Sequence, residues 1–98
     1  MKTIIEFVET ARNEDLATRV NDEITKIGER YEWITAAFVY LRKDNAAVGN
    51  CHCELEIRLP GNPIFIKESA DNFNLAITKT IEAIKRQLEK RKEKLYHH

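Results

Sequence analysis

Ninety-eight residues, 33% charged and 43% apolar, suffice for one domain with a single modest core and are too few for a second, and the composition excludes a disordered chain. Lys and Arg total 16 against 16 Asp and Glu, yet residues 85 to 98 hold six Lys/Arg against two Asp/Glu, leaving ten against fourteen in residues 1 to 84. The opening MKTIIEFVETARNED lacks the apolar run of a signal peptide or spanning helix, and two cysteines one residue apart build no disulfide framework, so a reducing, cytoplasmic setting is expected.

Thr3 to Val8 is a short run with β-branched residues and reads as a first strand. Asn13-Glu14-Asp15 opens a helix, because Asn13 caps free N–H groups and the two carboxylates favour the positive end of the helix dipole. Leu16, Val20, Ile24 and Ile27 follow at helical spacing with Gly28 near the stop, and the open face carries Arg19, Asp22, Glu23 and Lys26. From Trp33 to Arg42 the chain alternates as a strand, with Ala37, Val39 and Leu41 on one face and Ala36, Phe38 and Tyr40 on the other. A turn over Lys43 to Asn50 leads to Cys51 to Leu59, where Cys51, Cys53, Leu55, Ile57 and Leu59 point one way and His52, Glu54, Glu56 and Arg58 the other. Pro60-Gly61-Asn62-Pro63 is a tight turn, and Ile64 to Lys67 supplies the last strand of an antiparallel meander. Its register stays open, because Ile64, Phe65 and Ile66 are all apolar.

Ser69 or Asp71 caps the final helix, whose buried stripe is Phe73, Ala76, Ile77, Ile81, Ile84 and Leu88. About 25 helical residues at 1.5 Å each span roughly 37 Å, whereas strands of five or six residues reach only ~17–20 Å. The last two or three turns are therefore expected to overhang the sheet, solvated because apolar spacing lapses between Leu88 and Leu95. The order β-α-β-β-β-α predicts an α+β sandwich, a three- or four-stranded antiparallel sheet with two helices on one face. It forms a single domain over residues 1–98 with a basic helical extension over 85–96.

Chemical motifs are sparse. Cys51-His52-Cys53 invites a metal, but neighbours in a strand point to opposite faces, so His52 is directed away from two core-facing thiols. The terminal His97-His98 pair binds metal at most adventitiously. No Ser or Cys sits in a GxSxG elbow, Glu54 and Glu56 on one strand face read as solvated surface, and Gly28, Gly49 and Gly61 are too isolated to cradle phosphate. Neither catalysis nor a metal, cofactor or small-molecule substrate is expected. The basic helix end remains. Glu82, Glu89 and Glu93 interleave with Lys85, Arg86, Lys90, Arg91, Lys92 and Lys94 and form i,i+3 and i,i+4 pairs, as in any solvated helix. The cationic excess beyond those pairs points to a phosphate partner, and RNA suits it better than DNA because nothing marks a recognition helix.

These residues resemble the ribosome hibernation-promoting factors, also called protein Y or ribosome-associated inhibitor proteins, over essentially the whole chain. Asp71-Asn72-Phe73-Asn74-Leu75-Ala76-Ile77 is similar to the family's D-M-Y-A-A-I stretch, and Arg86 to Leu95 to its RQL-x-K-x-K-x-K-L ending. The resemblance implies a fold related to double-stranded-RNA-binding domains, docked on the small ribosomal subunit in the mRNA and tRNA channel, where it silences idle ribosomes. Lys26, Arg86, Lys90, Lys92 and Lys94 fall where the family sets basic residues against rRNA. Arg19, Lys79, Lys85 and Arg91 complete the expected RNA-binding set. Glu23 and Ala83 depart from the pattern, standing where many members have lysine, with Lys79 and Lys85 as compensation on the second helix. The chain ends where the short members end, without the dimerising domain of long ones. Two rival readings accompany this one. The first is a protein-interaction module that forms a weak homodimer through an outer sheet patch of Phe38, Tyr40, Ile64 and Ile66. The second, from an older family label, is a regulator of an alternative sigma factor.

Overall fold

The computed structural model describes residues 1–96, and the His97-His98 pair lies outside the described residues. Strand β1 (Lys2–Val8) is followed by helix α1 (Glu14–Arg30), strands β2 (Ala36–Lys43), β3 (Cys51–Arg58) and β4 (Ile64–Ala70), and helix α2 (Phe73–Tyr96). The four strands form one sheet in the order β1-β2-β3-β4.

The element order is the expected one, and β2, β3 and β4 form the expected antiparallel meander. Strand β1 differs, pairing parallel with β2 from Lys2↔Ala36 to Val8↔Arg42. A strand joined to its neighbour through a helix crosses over and returns in the same direction, so the sheet is mixed.

Local chemistry explains the helix starts. The Leu16 amide donates to Asn13 Oδ1 at 3.1 Å, with Glu14 and Asp15 in the first turn. Helix α2 is capped by Asn72, not by Ser69 or Asp71: the Leu75 amide donates to Asn72 Oδ1 at 2.8 Å. Strand β4 runs three residues past Lys67 and takes Ser69 into the sheet opposite His52, while Asp71 accepts from the Gly49 amide at 2.6 Å. Gly28 lies inside α1, which continues to Arg30 and closes when the Tyr31 amide donates to the Ile27 carbonyl.

The core fills the space between helices and sheet. Leu16, Val20, Ile24 and Ile27 from α1 meet Ala37, Val39, Leu41, Cys53, Leu55 and Ile57 from the sheet and Ala76, Ile77, Ile81, Ile84 and Leu88 from α2. Helix α1 lies against β1, and α2 against β3 and β4. Pairing of Ile57 with Ile64 and Leu55 with Ile66 puts both isoleucines on the helix side, so neither joins the outer patch expected of them. That register turns Phe65 outward instead, 68% exposed, in a cross-strand row with Glu56, Phe38 and Ile4.

The overhang of α2 is shorter than expected. Leu88 is fully buried, and Arg91 Nη1 still donates to the Asn62 carbonyl in the β3–β4 turn at 2.9 Å. Only the turn and a half beyond Arg91 carries past the sheet, and the molecule extends 47 × 23 × 18 Å.

Candidate nucleic-acid interface

Two helices on one sheet face leave a groove between them, and the residues that line it follow from helical periodicity. Arg19, Glu23, Lys26 and Arg30 recur at intervals of four, three and four, so they form one stripe along α1. Asn74, Thr78, Lys85 and Glu89 form the facing stripe on α2.

Side-chain bonds show how the stripes meet. Arg19 Nη1 donates to the carbonyl and Oδ1 of Asn74 at 2.7 and 2.9 Å, and its Nη2 to Thr78 Oγ1 at 2.7 Å. Eleven residues further along α1, Arg30 Nη2 donates to Glu89 Oε1 at 2.7 Å, and the Tyr31 hydroxyl donates to the same oxygen at 2.9 Å. The helices thus run parallel, clamped at both ends. Between the clamps, Glu23, Lys26, Ile27, Arg30, Tyr31, Lys85 and Glu89 line a groove of about 300 Å³.

The nine sequence-predicted residues separate into three groups and one that stands apart, Arg19. Lys26 and Lys85 meet across the groove, and Lys92 extends this flank, close enough to Glu89 to stabilise its charge. Lys79, Arg86 and Lys90, at intervals of seven and four, form an exposed ridge along α2, although Lys79 bends to donate to the Ser69 carbonyl at 3.0 Å. Arg91 and Lys94 border a concavity with Gln87, Lys90 and Glu93 on the remaining flank. Arg19, read from the sequence as an open-face cation, is half-buried and spends three donor contacts holding α2. Glu23 lies in the groove half-buried, and Ala83 is buried.

Arg30, Tyr31 and Glu89 are groove residues that sequence reasoning left out. The signal for Arg30 was present in the spacing of Arg19, Glu23 and Lys26, which lands on it one interval later. Tyr31 had no such signal: its ring is buried as the α1 cap, and only the fold brings its hydroxyl to α2. Burial, and next the hydrogen bond to Glu89, raise the Tyr31 hydroxyl above its ordinary value. The Tyr31 hydroxyl, with Arg30 and the charge of Lys92, holds Glu89 below the usual carboxylate range.

Elsewhere the geometry agrees with the sequence. Cys51 and Cys53 are buried on the core side, and burial pushes the Cys53 thiol up to about 11. His52 faces the other way, with Nε2 2.6 Å from Asp44 Oδ2 and Nδ1 2.6 Å from Ser69 Oγ. Glu54 and Glu56 share the outer face and pair with Arg42 and Arg58, and Arg58 also stacks 4.6 Å from the Phe38 centroid.

The family model described as sigma 54 modulation protein / S30EA ribosomal protein matches residues 3–96. A ribosome hibernation promoting factor of Acinetobacter guillouiae is 31% identical over 81 residues, covering 76% of this chain and 72% of that protein. The N-terminal domain of Thermus thermophilus protein Y shares the fold with a TM-score of 0.76 at 15% identity, over 92% of this chain and 98% of that one. A ribosomal subunit interface protein from Coxiella burnetii shares it with a TM-score of 0.79 at 15% identity, over 92% and 97%.

Proposed function

The chain belongs to the sigma 54 modulation protein / S30EA ribosomal protein family, a non-catalytic family, and on that premise we propose that it is a cytoplasmic hibernation factor that docks on small-subunit rRNA in the mRNA and tRNA channel and keeps idle ribosomes inactive. One observation carries the reading: two parallel helices present a groove with Lys26 and Lys85 across it, and the longer helix continues from there into a basic end. Phosphates of a folded RNA fit such a ridge and groove by shape and charge, without base-specific readout. The names of two relatives, a ribosome hibernation promoting factor and a ribosomal subunit interface protein, support it. Binding there performs no chemistry and acts by occlusion.

Cosedimentation with purified small subunits across a salt series tests the proposal. Association at low salt that fades as salt rises is expected, and failure to cosediment at low salt, or undiminished association at high salt, would count against it. Charge reversal at Lys90, Arg91, Lys92 and Lys94 together should abolish binding while the unfolding transition stays cooperative; if binding survives, the end of α2 is not the contact. Exposed Phe65, in the same outer row as Phe38 with Glu56 between them, favours a second reading, self-association through the outer sheet face. Salt-insensitive, concentration-dependent dimers that vanish in Phe65→Glu would support that reading.

A further inference from the structure

Among the described residues, Lys26 and Lys85 make no ion pair, whereas Arg30, the third groove cation, is held by Glu89 from the opposite helix. The arrangement is built on both sides. Tyr31 is buried and donates its hydroxyl to the same carboxylate oxygen that Arg30 binds, which fixes Glu89 in place. The Arg30 guanidinium in turn lies 5.5 Å from the Tyr31 ring centroid, so it waits at the end of the groove in a defined position.

A carboxylate and a phosphate both present oxygens suited to the donor fork of a guanidinium. Resting on the ribosome reading above, we propose that Glu89 is a built-in competitor for RNA phosphate, occupying Arg30 in the free protein and releasing it only when a phosphate takes its place. The exchange is easy in one direction. The side chains of Arg30 and Glu89 are 67% and 43% exposed, and exposed pairs contribute little. A phosphate of a polyanion brings counterion release in addition to the contact itself. Once displaced, however, Glu89 remains beside the groove as an ionised group, and its repulsion subtracts from whatever Lys26, Lys85 and Arg30 gain. Glu89 therefore sets how tightly the groove holds RNA, and it makes the protein easier to release than its cation content suggests.

A double-mutant cycle on purified small ribosomal subunits tests this, with dissociation constants of the parent, Glu89→Gln, Arg30→Gln and the double variant measured over a range of potassium chloride. Glu89→Gln should bind roughly three- to fivefold more tightly than the parent. Its log–log salt slope should change little, because Arg30 meets a phosphate in both complexes. In the Arg30→Gln background the gain should shrink, because only the repulsion of phosphate held by Lys26 and Lys85 is left to relieve. A Glu89→Gln variant no tighter than the parent, or a gain undiminished without Arg30, overturns the inference while parental binding leaves the ribosome reading standing. A parent that binds at no salt concentration overturns both. Thermal unfolding of each variant verifies that the pair's removal leaves the fold intact.

Discussion

Gly28 has Met1 folded over the place where a Cβ would stand, 2.6 Å from Met1 Cε. The obstructing atom is the far end of a flexible, exposed side chain, so an alanine displaces it cheaply and gains the helix propensity that glycine lacks. Gly28→Ala should therefore stabilise the protein, by a few tenths to about 1 kcal/mol, read as a rise in the urea midpoint. The Tyr31–Glu89 bond gives a different kind of signature. Glu89 has a lowered folded value, so its contribution is present at neutral pH and is lost as pH falls through and below the ordinary carboxylate range. Tyr31 has a raised folded value, so its contribution is complete below the ordinary tyrosine value and is lost as pH rises past the raised one. Urea midpoints across pH should fall in both directions, and Tyr31→Phe should reduce the alkaline fall, the remainder belonging to the buried Cys53 thiol. At this scale the sequence was legible where one residue type stood alone. Asn13 was the evident cap before two acids, whereas Ser69, Asp71 and Asn72 are all good caps within four residues, and the length of β4 decided among them.

Among the elements, the end of α2 rests on one late apolar anchor. Leu88 is the last fully buried residue of the helix, and the basic turns follow directly from it. Leu88→Ala should cost about 2–5 kcal/mol by leaving a cavity under the helix, measured by denaturant unfolding. It should also weaken ribosome binding although it removes no charge, because the cations beyond it lose their fixed direction. The alternation of β2 and β3 made their faces readable, since apolar and polar residues occupy opposite sides. Strand β4 was not readable in this way: three consecutive apolar residues fit either register, and only pairing with β3 turned Phe65 outward and Ile64 and Ile66 in. The parallel run of β1 was likewise absent from local pattern, being a property of the crossover through α1. Strand lengths of five or six residues also exaggerated the overhang, because β3 and β4 reach eight and seven residues and their turn extends further to meet Arg91.

At the scale of the whole molecule, the polarisation read from composition survives folding, and the fold gives it an orientation. If Lys26, Arg30, Lys85, Arg86, Lys90, Lys92 and Lys94 each neutralise one phosphate, the log–log dependence of ribosome affinity on salt should have a slope of about −6. A titration of labelled protein with small subunits at several ionic strengths measures it, and a slope near zero would assign binding to apolar contact instead. The candidate site was thus legible as a set of cations on two helices and not as a groove, because parallel alignment of α1 and α2 is a tertiary fact. That alignment has an electrostatic cost of its own. Two helices side by side in the same direction bring their partial negative poles to the same end of the molecule. Because Arg30 ends α1 level with Glu89, the further seven residues of α2 displace its own pole by about 10 Å along the axis. The stagger separates like poles by roughly a Debye length, and the cations of the final turns sit where the second pole emerges. The overhang therefore eases a conflict inside the free protein before any partner arrives, and a helix cut level with α1 would lose cohesion as well as charge.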